Sequence, residues 1–336
     1  PGLDIERLRW LLGLARHVNW RDFHAAAAAR AILLIQSRER FAPMFKKYGI
    51  EAGFEEKGVM FLFKDQQVWK QERAQVAMLN DLSIAVEPLD SAALHTCLPG
   101  LTPAVVGGLR YPGDAMLRPE RYVAGLEQAF LRSGGKIARE TDVLGFGTSG
   151  RHIDSIHSSQ GDYPAKRVLL AAGAWSPLLA RKLGLRLPVQ PGKGYSITWG
   201  KMAGVPDIPL VLKERSVCVT AWADGFRLGS TMEFSGFREG LNRTRLHALR
   251  RGAAEYLKLP LLGTPSEEWW GWRPMSVDEV PIIGPSQRWE NLHFATAHGM
   301  LGVSMSPATA ALIADQFMNR TPDFDPTPYA PARFGL

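Results

Sequence analysis

The segment that settles the fold class is Arg167-Val-Leu-Leu-Ala-Ala172, followed at once by Gly173-Ala-Trp-Ser176. An unbroken apolar run with charge at one end and glycine at the other reads as a strand covered on both faces, as in a parallel sheet. Ala171, Ala172 and Gly173 close that strand with three small residues. Small residues there let an extended ligand approach the backbone, in the crevice where open α/β sheets hold ligands. Close helix–strand packing would ask for the same residues, so this segment alone does not decide between the two.

Toward the C-terminus the pattern returns. Asn291-Leu-His-Phe-Ala-Thr296 reads as a second buried strand, ending in Ala297-His298-Gly299-Met300-Leu301-Gly302. A helix is expected over about 303–317, with Pro307 tolerated in its first turn. A helix that starts beside glycine offers unpaired N–H groups and a positive dipole end, suited to negative charge. His298 reads either as part of that site or as a loop histidine satisfied by backbone.

Toward the N-terminus, Gly145-Phe-Gly147-Thr-Ser-Gly150 spells a dinucleotide-binding fingerprint. It is a decoy, because such a fingerprint must open a helix whose N–H groups meet a pyrophosphate. Here Arg151-His-Ile-Asp-Ser-Ile alternates like a strand, so the glycines are expected to serve a hairpin turn. Before it, Pro119 to about Arg132 reads as a helix opened by proline and closed by Ser133-Gly134-Gly135. Between the buried strands lie strand-like stretches over 194–199, 216–222, 225–232 and 269–273, with one helix over about 243–257. A more antiparallel insert is thus bracketed by parallel-sheet chemistry. Gly58–Phe63 and Gly107–Tyr111 read as strands, with a helix over about 66–79.

In the insert, Trp269-Trp-Gly-Trp-Arg273-Pro274 alternates so that Trp270 and Trp272 share one face and Trp269, Gly271 and Arg273 the other. Gly271 is expected to leave room beside the Arg273 guanidinium, which could clamp a carboxylate with two parallel hydrogen bonds. An ion pair with Asp278 or Glu279 is the competing use of Arg273. At the start of the chain, Asp4 is expected to cap a helix with Ile5, Leu8, Leu11, Leu12 and Ala15 on its packing face. An Ala-rich helix over about 24–41 carries Arg30, Arg38 and Arg40 on its polar side.

The 336 residues are 46% apolar and 22% charged, as expected of an ordinary globular chain of about two domains. Lys and Arg exceed Asp and Glu by 40 to 33 without any basic run, which speaks against nucleic acid as a partner. An anionic substrate and an anionic membrane surface suit that charge equally. Two cysteines, Cys97 and Cys218, exclude a disulfide scaffold and a paired-cysteine metal site, so a reducing compartment is expected. No window reaches the length of a membrane span. The expected location is cytoplasmic, with peripheral attachment at the inner membrane face left open by the basic balance and by Trp10 and Trp20.

Four segments occur in order: 167–176, Leu187-Pro-Val-Gln-Pro-Gly-Lys-Gly-Tyr-Ser-Ile197, Gly271-Trp-Arg-Pro-Met-Ser276 with Pro281-Ile-Ile-Gly284, and 291–302. Together they resemble the FAD-dependent D-amino-acid oxidase superfamily, most nearly its D-amino-acid dehydrogenase branch. The resemblance implies an α/β fold with an α+β insert: a discontinuous Rossmann-like FAD-binding domain over 118–186 and 273–320, and a substrate domain of antiparallel sheet plus helices over 50–117 and 187–272. Residues 1–49 would be packing helices. It implies noncovalent FAD, since the cysteine that holds flavin in covalent relatives has no counterpart near 273–276. By position it assigns Val143, Ala172 and Gly173 to the adenosine and pyrophosphate side, and Gly299, Met300, Leu301 and Gly302 to the isoalloxazine. Trp175, Gly271 and His298 join that cofactor-binding set. Arg273 would hold the substrate carboxylate, and Tyr195 would stand at the edge of the substrate pocket.

The implied reaction oxidises the Cα–N bond of an amino acid by hydride transfer to flavin N5, and the imino acid hydrolyses to a 2-oxo acid and ammonia. Electrons would pass to a quinone or to O2. A glycine- or sarcosine-type or a proline-type secondary-amine enzyme is the near alternative, and a non-catalytic subunit that partners a flavoprotein is the distant one. The family opens with a strand, a Gly-x-Gly-x-x-Gly turn, a helix and an acid-ended strand, none of which is present from Pro1 onward. The expectation is therefore that this βαβ unit has been truncated or is supplied by another chain, that FAD binds poorly, and that sheet surface is exposed.

Overall fold

The computed structural model describes residues 5–81, 84–259 and 263–336; Asp4, the expected helix cap, lies outside them. The chain opens with α1 (Ile5–His17) and α2 (Trp20–Tyr48). Then come β1 (Val59–Phe63), α3 (Gln66–Ala74), α4 (Val76–Asp81), β2 (Glu87–Asp90), α5 (Ser91–Cys97) and β3 (Gly107–Tyr111). The middle holds α6 (Pro119–Arg132), β4 (Val143–Ser149), β5 (His152–Ser158), β6 (Gly161–Pro164), β7 (Val168–Leu170), α7 (Ser176–Lys182) and β8 (Val189–Gly200). It is followed by β9 (Leu210–Leu212), β10 (Val217–Trp222), β11 (Gly225–Glu233), α8 (Arg243–Ala254), β12 (Glu267–Ser276), β13 (Ile282–Pro285), β14 (Leu292–Thr296) and α9 (Gly302–Phe317).

Three sheets result. The largest runs β12-β8-β11-β10-β9-β1-β3-β2 and is antiparallel except where β1 and β9 pair in parallel. Alternation along its strands buries Ile197, Trp199, Leu212, Val219 and Leu228 on one face, beneath Leu246, Leu249 and Ala253 of α8. Each fully buried side chain of this kind contributes about 1.5–3 kcal/mol. The second sheet, β13-β14-β7, pairs the two strands read first from the sequence, β7 and β14, in parallel. Their carboxyl ends therefore lie side by side. The third, β4-β5-β6, contains the decoy fingerprint. Gly150 alone of its glycines sits in the turn, at φ +57°, while Gly145 and Gly147 are within β4.

The single helix expected over about 66–79 is broken at Gln75 into α3 and α4, and α1 and α9 depart from expectation in other ways. In α1 the expected packing face is at the surface: Ile5, Leu8, Leu11 and Leu12 are exposed and Trp10 is the buried residue. The helix is held by the Trp10 indole N–H, which donates to the Met275 carbonyl at 2.9 Å, and by Arg7, which donates to the Phe234 carbonyl at 3.2 Å. Amphipathicity reveals that an apolar face exists and leaves open which neighbour covers it. In α9, Pro307 stands in the second turn, one turn later than expected. The Val303 carbonyl that it cannot reach accepts from the Ser306 hydroxyl at 2.7 Å. Beside it, the Ala308 N–H donates to Ser37 Oγ of α2 at 3.1 Å, where Leu33 packs with Met305 and Leu312.

Candidate active site

Register decides which residues face one another here. β12 pairs antiparallel with β8 so that Arg273 opposes Gly192, Gly271 opposes Gly194, and Trp270 opposes Tyr195. Since side chains alternate, Arg273 shares a face with the glycines of β8, and Tyr195 projects from the other face. The guanidinium crosses the strand directly above Gly194, where a Cβ would collide with it. The space expected beside Gly271 is taken by the Trp269 ring, so it is Gly194 that makes room for Arg273.

Arg273 is free of the ion pairs that competed for it. Asp278 is bonded by Arg333 Nε at 2.8 Å, and Glu279 by Arg30 Nη1 at 2.8 Å. The hydrogen bond found for Arg273 runs from Nη1 to the Thr231 carbonyl at 3.1 Å, and no carboxylate bridges to it among the described residues. Desolvation presses its pKa below the usual arginine value, but a guanidinium remains charged throughout the physiological range. A desolvated cation with unused donors in a planar fork is a receptor for a carboxylate.

Tyr195 is placed elsewhere. It is fully buried in the main core, and its hydroxyl donates to Glu233 Oε2 at 2.9 Å. Burial first, then the Glu233 carboxylate, push its pKa up to about 12. The period-2 alternation of the strand already separates 194 from 195; what the residue pattern lacked was the register that puts Arg273 on the side of 194. Lys193 lies on the Tyr195 face too, donating to the Arg238 carbonyl at 2.8 Å with its ammonium 4.6 Å from the centre of the Trp270 ring.

The strand that carries Arg273 is joined to the glycine turn before α9. The Gly299 N–H donates to the Pro274 carbonyl at 3.0 Å, and Met275 bridges to His298. Ala297 and Gly299 both adopt left-handed φ, +66° and +56°, which bends the chain sharply between β14 and α9. Met300 is exposed, and Leu301 precedes the helix without any side-chain cap. The first helical bond recorded there is Met305 N–H to the Leu301 carbonyl, so Gly302, Val303 and Ser304 present amides with no helical acceptor. His298 Nε2 meets Thr309 Oγ1 at 3.0 Å. Part of its surface is open, yet the ring is crowded by protein atoms, and burial lowers its pKa to about 4, leaving it neutral.

The end of β7 closes the other side. Gly173 takes φ +52° with open space where a Cβ would stand. Its carbonyl accepts from Thr296 Oγ1 at 3.1 Å, and Ser176 Oγ meets the same Thr296 hydroxyl at 2.9 Å. Ala172–Gly173 and 297–302 are thereby brought together outside the carboxyl ends of two parallel strands. Trp175 spans to the large sheet, its ring 5.4 Å from that of Trp272. Val143 begins β4 in the separate hairpin sheet, opposite Ser158. The contact of the Thr231 carbonyl with Arg273, and the Glu233–Arg245 pair that meets Thr231 and Tyr195 on the opposite face, are not marked by the residue pattern, because a bulge in β11 creates the arrangement.

These features fit a flavin: uncapped amides at the start of a 16-residue helix, and a thin, glycine-bearing strand end beside it. The FAD-dependent oxidoreductase family known as DAO matches residues 11–316. The D-amino acid dehydrogenase of Granulibacter bethesdensis is 32% identical over 99% of this chain and 81% of its own length. The crystal structure of glycine oxidase from Geobacillus kaustophilus superposes with a TM-score of 0.85 at 22% identity, covering 90% of this chain and 82% of that one. L-proline dehydrogenase from P. horikoshii gives 0.78 at 18% identity, over 91% and 83%. The chain belongs to the DAO family of FAD-dependent oxidoreductases, and it is an enzyme that works with FAD. Among the described residues no helix is long and apolar enough to cross a membrane.

Proposed function

We propose that the enzyme oxidises the Cα–N bond of an amino acid, and of a D-amino acid in particular, to a 2-oxo acid and ammonia. The observation that carries this reading is the unpaired Arg273 guanidinium above Gly194, one residue from the strand's link to the α9 turn. Arg273 binds and orients the carboxylate, which fixes Cα. The uncapped amides of Gly302, Val303 and Ser304 hold the negatively charged edge of the cofactor, and Ala172 and Gly173 its pyrophosphate side. When bound, the flavin supplies the acceptor for the two electrons and proton that leave Cα; water then hydrolyses the imino acid. Positioning and exclusion of water supply most of the rate, with no side-chain base required. His298, held neutral by burial, stays uncharged beside the turn. The resemblance to a D-amino acid dehydrogenase at 32% identity supports the substrate class and its handedness.

The test is anaerobic titration of the FAD-loaded protein with single D- and L-amino acids, glycine, sarcosine and proline, following bleaching of the flavin band. Bleaching by D-amino acids bears the reading out. Bleaching by sarcosine or proline alone replaces it with a secondary-amine enzyme, and no bleaching by any of them overturns it. Reoxidation by a quinone without peroxide marks a dehydrogenase, and rapid peroxide release an oxidase.

A further inference from the structure

Arg273 depends on a distorted piece of backbone. β11 pairs regularly with β8 as far as Ser230 opposite Tyr195, and resumes with Glu233 opposite Lys193. Three steps on one strand match two on the other, so one extra residue is accommodated as a bulge. Within it Ser230 and Thr231 adopt φ of +115° and +67°. Neither is glycine, and a β-branched residue in the left-handed region is strained. Such a conformation persists only where its surroundings enforce it.

The enforcing groups come from α8. Arg245 Nη1 donates to Thr231 Oγ1 at 2.6 Å, and its Nε donates to Glu233 Oε2 at 3.0 Å. The same carboxylate oxygen accepts from the Tyr195 hydroxyl at 2.9 Å and from Asn242 Nδ2 at 3.1 Å. Asn242 also caps α8, so the helix start, the bulge and the core tyrosine share one anchor. Desolvation works against the Glu233 anion, but the hydrogen bonds from Tyr195 and Asn242, with the Arg245 charge, outweigh it and lower its pKa to about 2. The bulge carries the connection from one face of the sheet to the other: Thr231 is gripped by its hydroxyl on the α8 side and turns its carbonyl to Arg273 Nη1 at 3.1 Å.

We propose that Arg245 and Glu233 are positioning residues that lock the strained Ser230–Thr231 backbone, so that the Thr231 carbonyl aims the Arg273 fork at the substrate carboxylate. The inference rests on Arg273 being the carboxylate receptor. It also gives Tyr195 a role distant from the reacting atoms, as one support of Glu233. A strained turn that served stability alone would be relieved by glycine without loss; one that aims a functional group is relieved at the expense of binding.

The experiment compares Arg245→Met, Glu233→Gln, Thr231→Gly and Arg273→Leu in the FAD-loaded enzyme. Three quantities are read: thermal stability, the KM and kcat for the preferred amino acid, and the Kd of propionate, a carboxylate with no amine to oxidise, from its perturbation of the flavin spectrum. Expected for Thr231→Gly is unchanged or raised stability with KM and the propionate Kd both raised about tenfold and kcat changed less. Arg245→Met raises both binding constants similarly, and Arg245→Lys, which retains the charge on Glu233, recovers part of the loss. If Arg245→Met fails to fold, Thr231→Gly and Glu233→Gln decide. Wild-type KM and propionate Kd in Thr231→Gly overturn the proposal. Should Arg273→Leu itself leave both constants unchanged, the carboxylate-receptor reading falls first, and the two failures are thereby distinguished.

Discussion

The guanidinium of Arg273 occupies the space above Gly194 that the Cβ of any other residue would claim. The two residues lie on adjacent strands and are offset by two residues in the register, which places Arg273 opposite Gly192. A long side chain leaning along its strand thus finds its floor on the neighbouring backbone. Beyond the bond from Nη1 to the Thr231 carbonyl the fork keeps donors unused, as two parallel hydrogen bonds to a carboxylate require.

Replacing Arg273 by Leu removes the charge and the fork together. Loss of a desolvated charge-assisted pair costs about 2–5 kcal/mol, so the apparent Michaelis constant for amino acids rises by roughly 30-fold to several thousand-fold. The flavin spectrum stays as in the wild type. Steady-state kinetics across several amino acids is the measurement, and unaltered kinetics would remove Arg273 from the site.

Gly194→Ala separates binding from stability. Position 194 lies outside the left-handed region, so alanine is tolerated by the backbone, and only the far end of a flexible arginine must move. The melting temperature is expected to hold within a few degrees, since alanine restricts the unfolded chain. A displacement near 1 Å of a positioning group costs up to about 100-fold, and the expected rise in KM is about 10- to 100-fold.

His298 contributes a pH dependence to stability. Its folded pKa of about 4 lies below the ordinary 6.5, so between these values the unfolded chain binds more protons than the folded one. Stability is therefore complete above about pH 6.5 and declines as the pH falls toward 4, by about 3 kcal/mol as an upper bound given the part of the residue open to solvent. His298→Gln, which can still bond Thr309 Oγ1, should flatten denaturant midpoints measured across that interval.

Arg333→Met tests a purely structural clamp. This guanidinium bonds Asp278 and the carbonyls of Tyr329, Val280 and Pro281, fastening the C-terminal turns to the approach to β13. Stranding Asp278, which is largely buried, costs about 3–5 kcal/mol. The melting temperature should fall by a few degrees with KM unchanged, because the hydrogen bonds of Arg333 go to residues 278–281 and 329–330 and none goes to Arg273. A raised KM would mean that this end of the fold communicates with Arg273.

Much of the fold could be read directly. Helix α6 begins at Pro119 and ends at Arg132 as proline entry and glycine exit predict, and β7 and β14 lie where the apolar runs mark them. The fingerprint at 145–150 proved to lie in a hairpin because alternation after Gly150 is a local property. By contrast, the apolar face of α1 is legible in the sequence but lies at the surface, because what covers a face is decided by tertiary structure.

The candidate site divides in the same way. Local composition determined that Arg273 stands on a strand rich in tryptophan, that glycines flank the start of α9, and that small residues end β7. Long-range pairing decided that Gly194 rather than Gly271 lies under the guanidinium, that Asp278 and Glu279 are committed to Arg333 and Arg30, and that Tyr195 points away. The physical reason is that alternation assigns two faces within one strand, whereas which face meets which partner is set by register. One extra residue in β11 then turned Thr231 toward Arg273, through a bulge that no spacing of residue types announces.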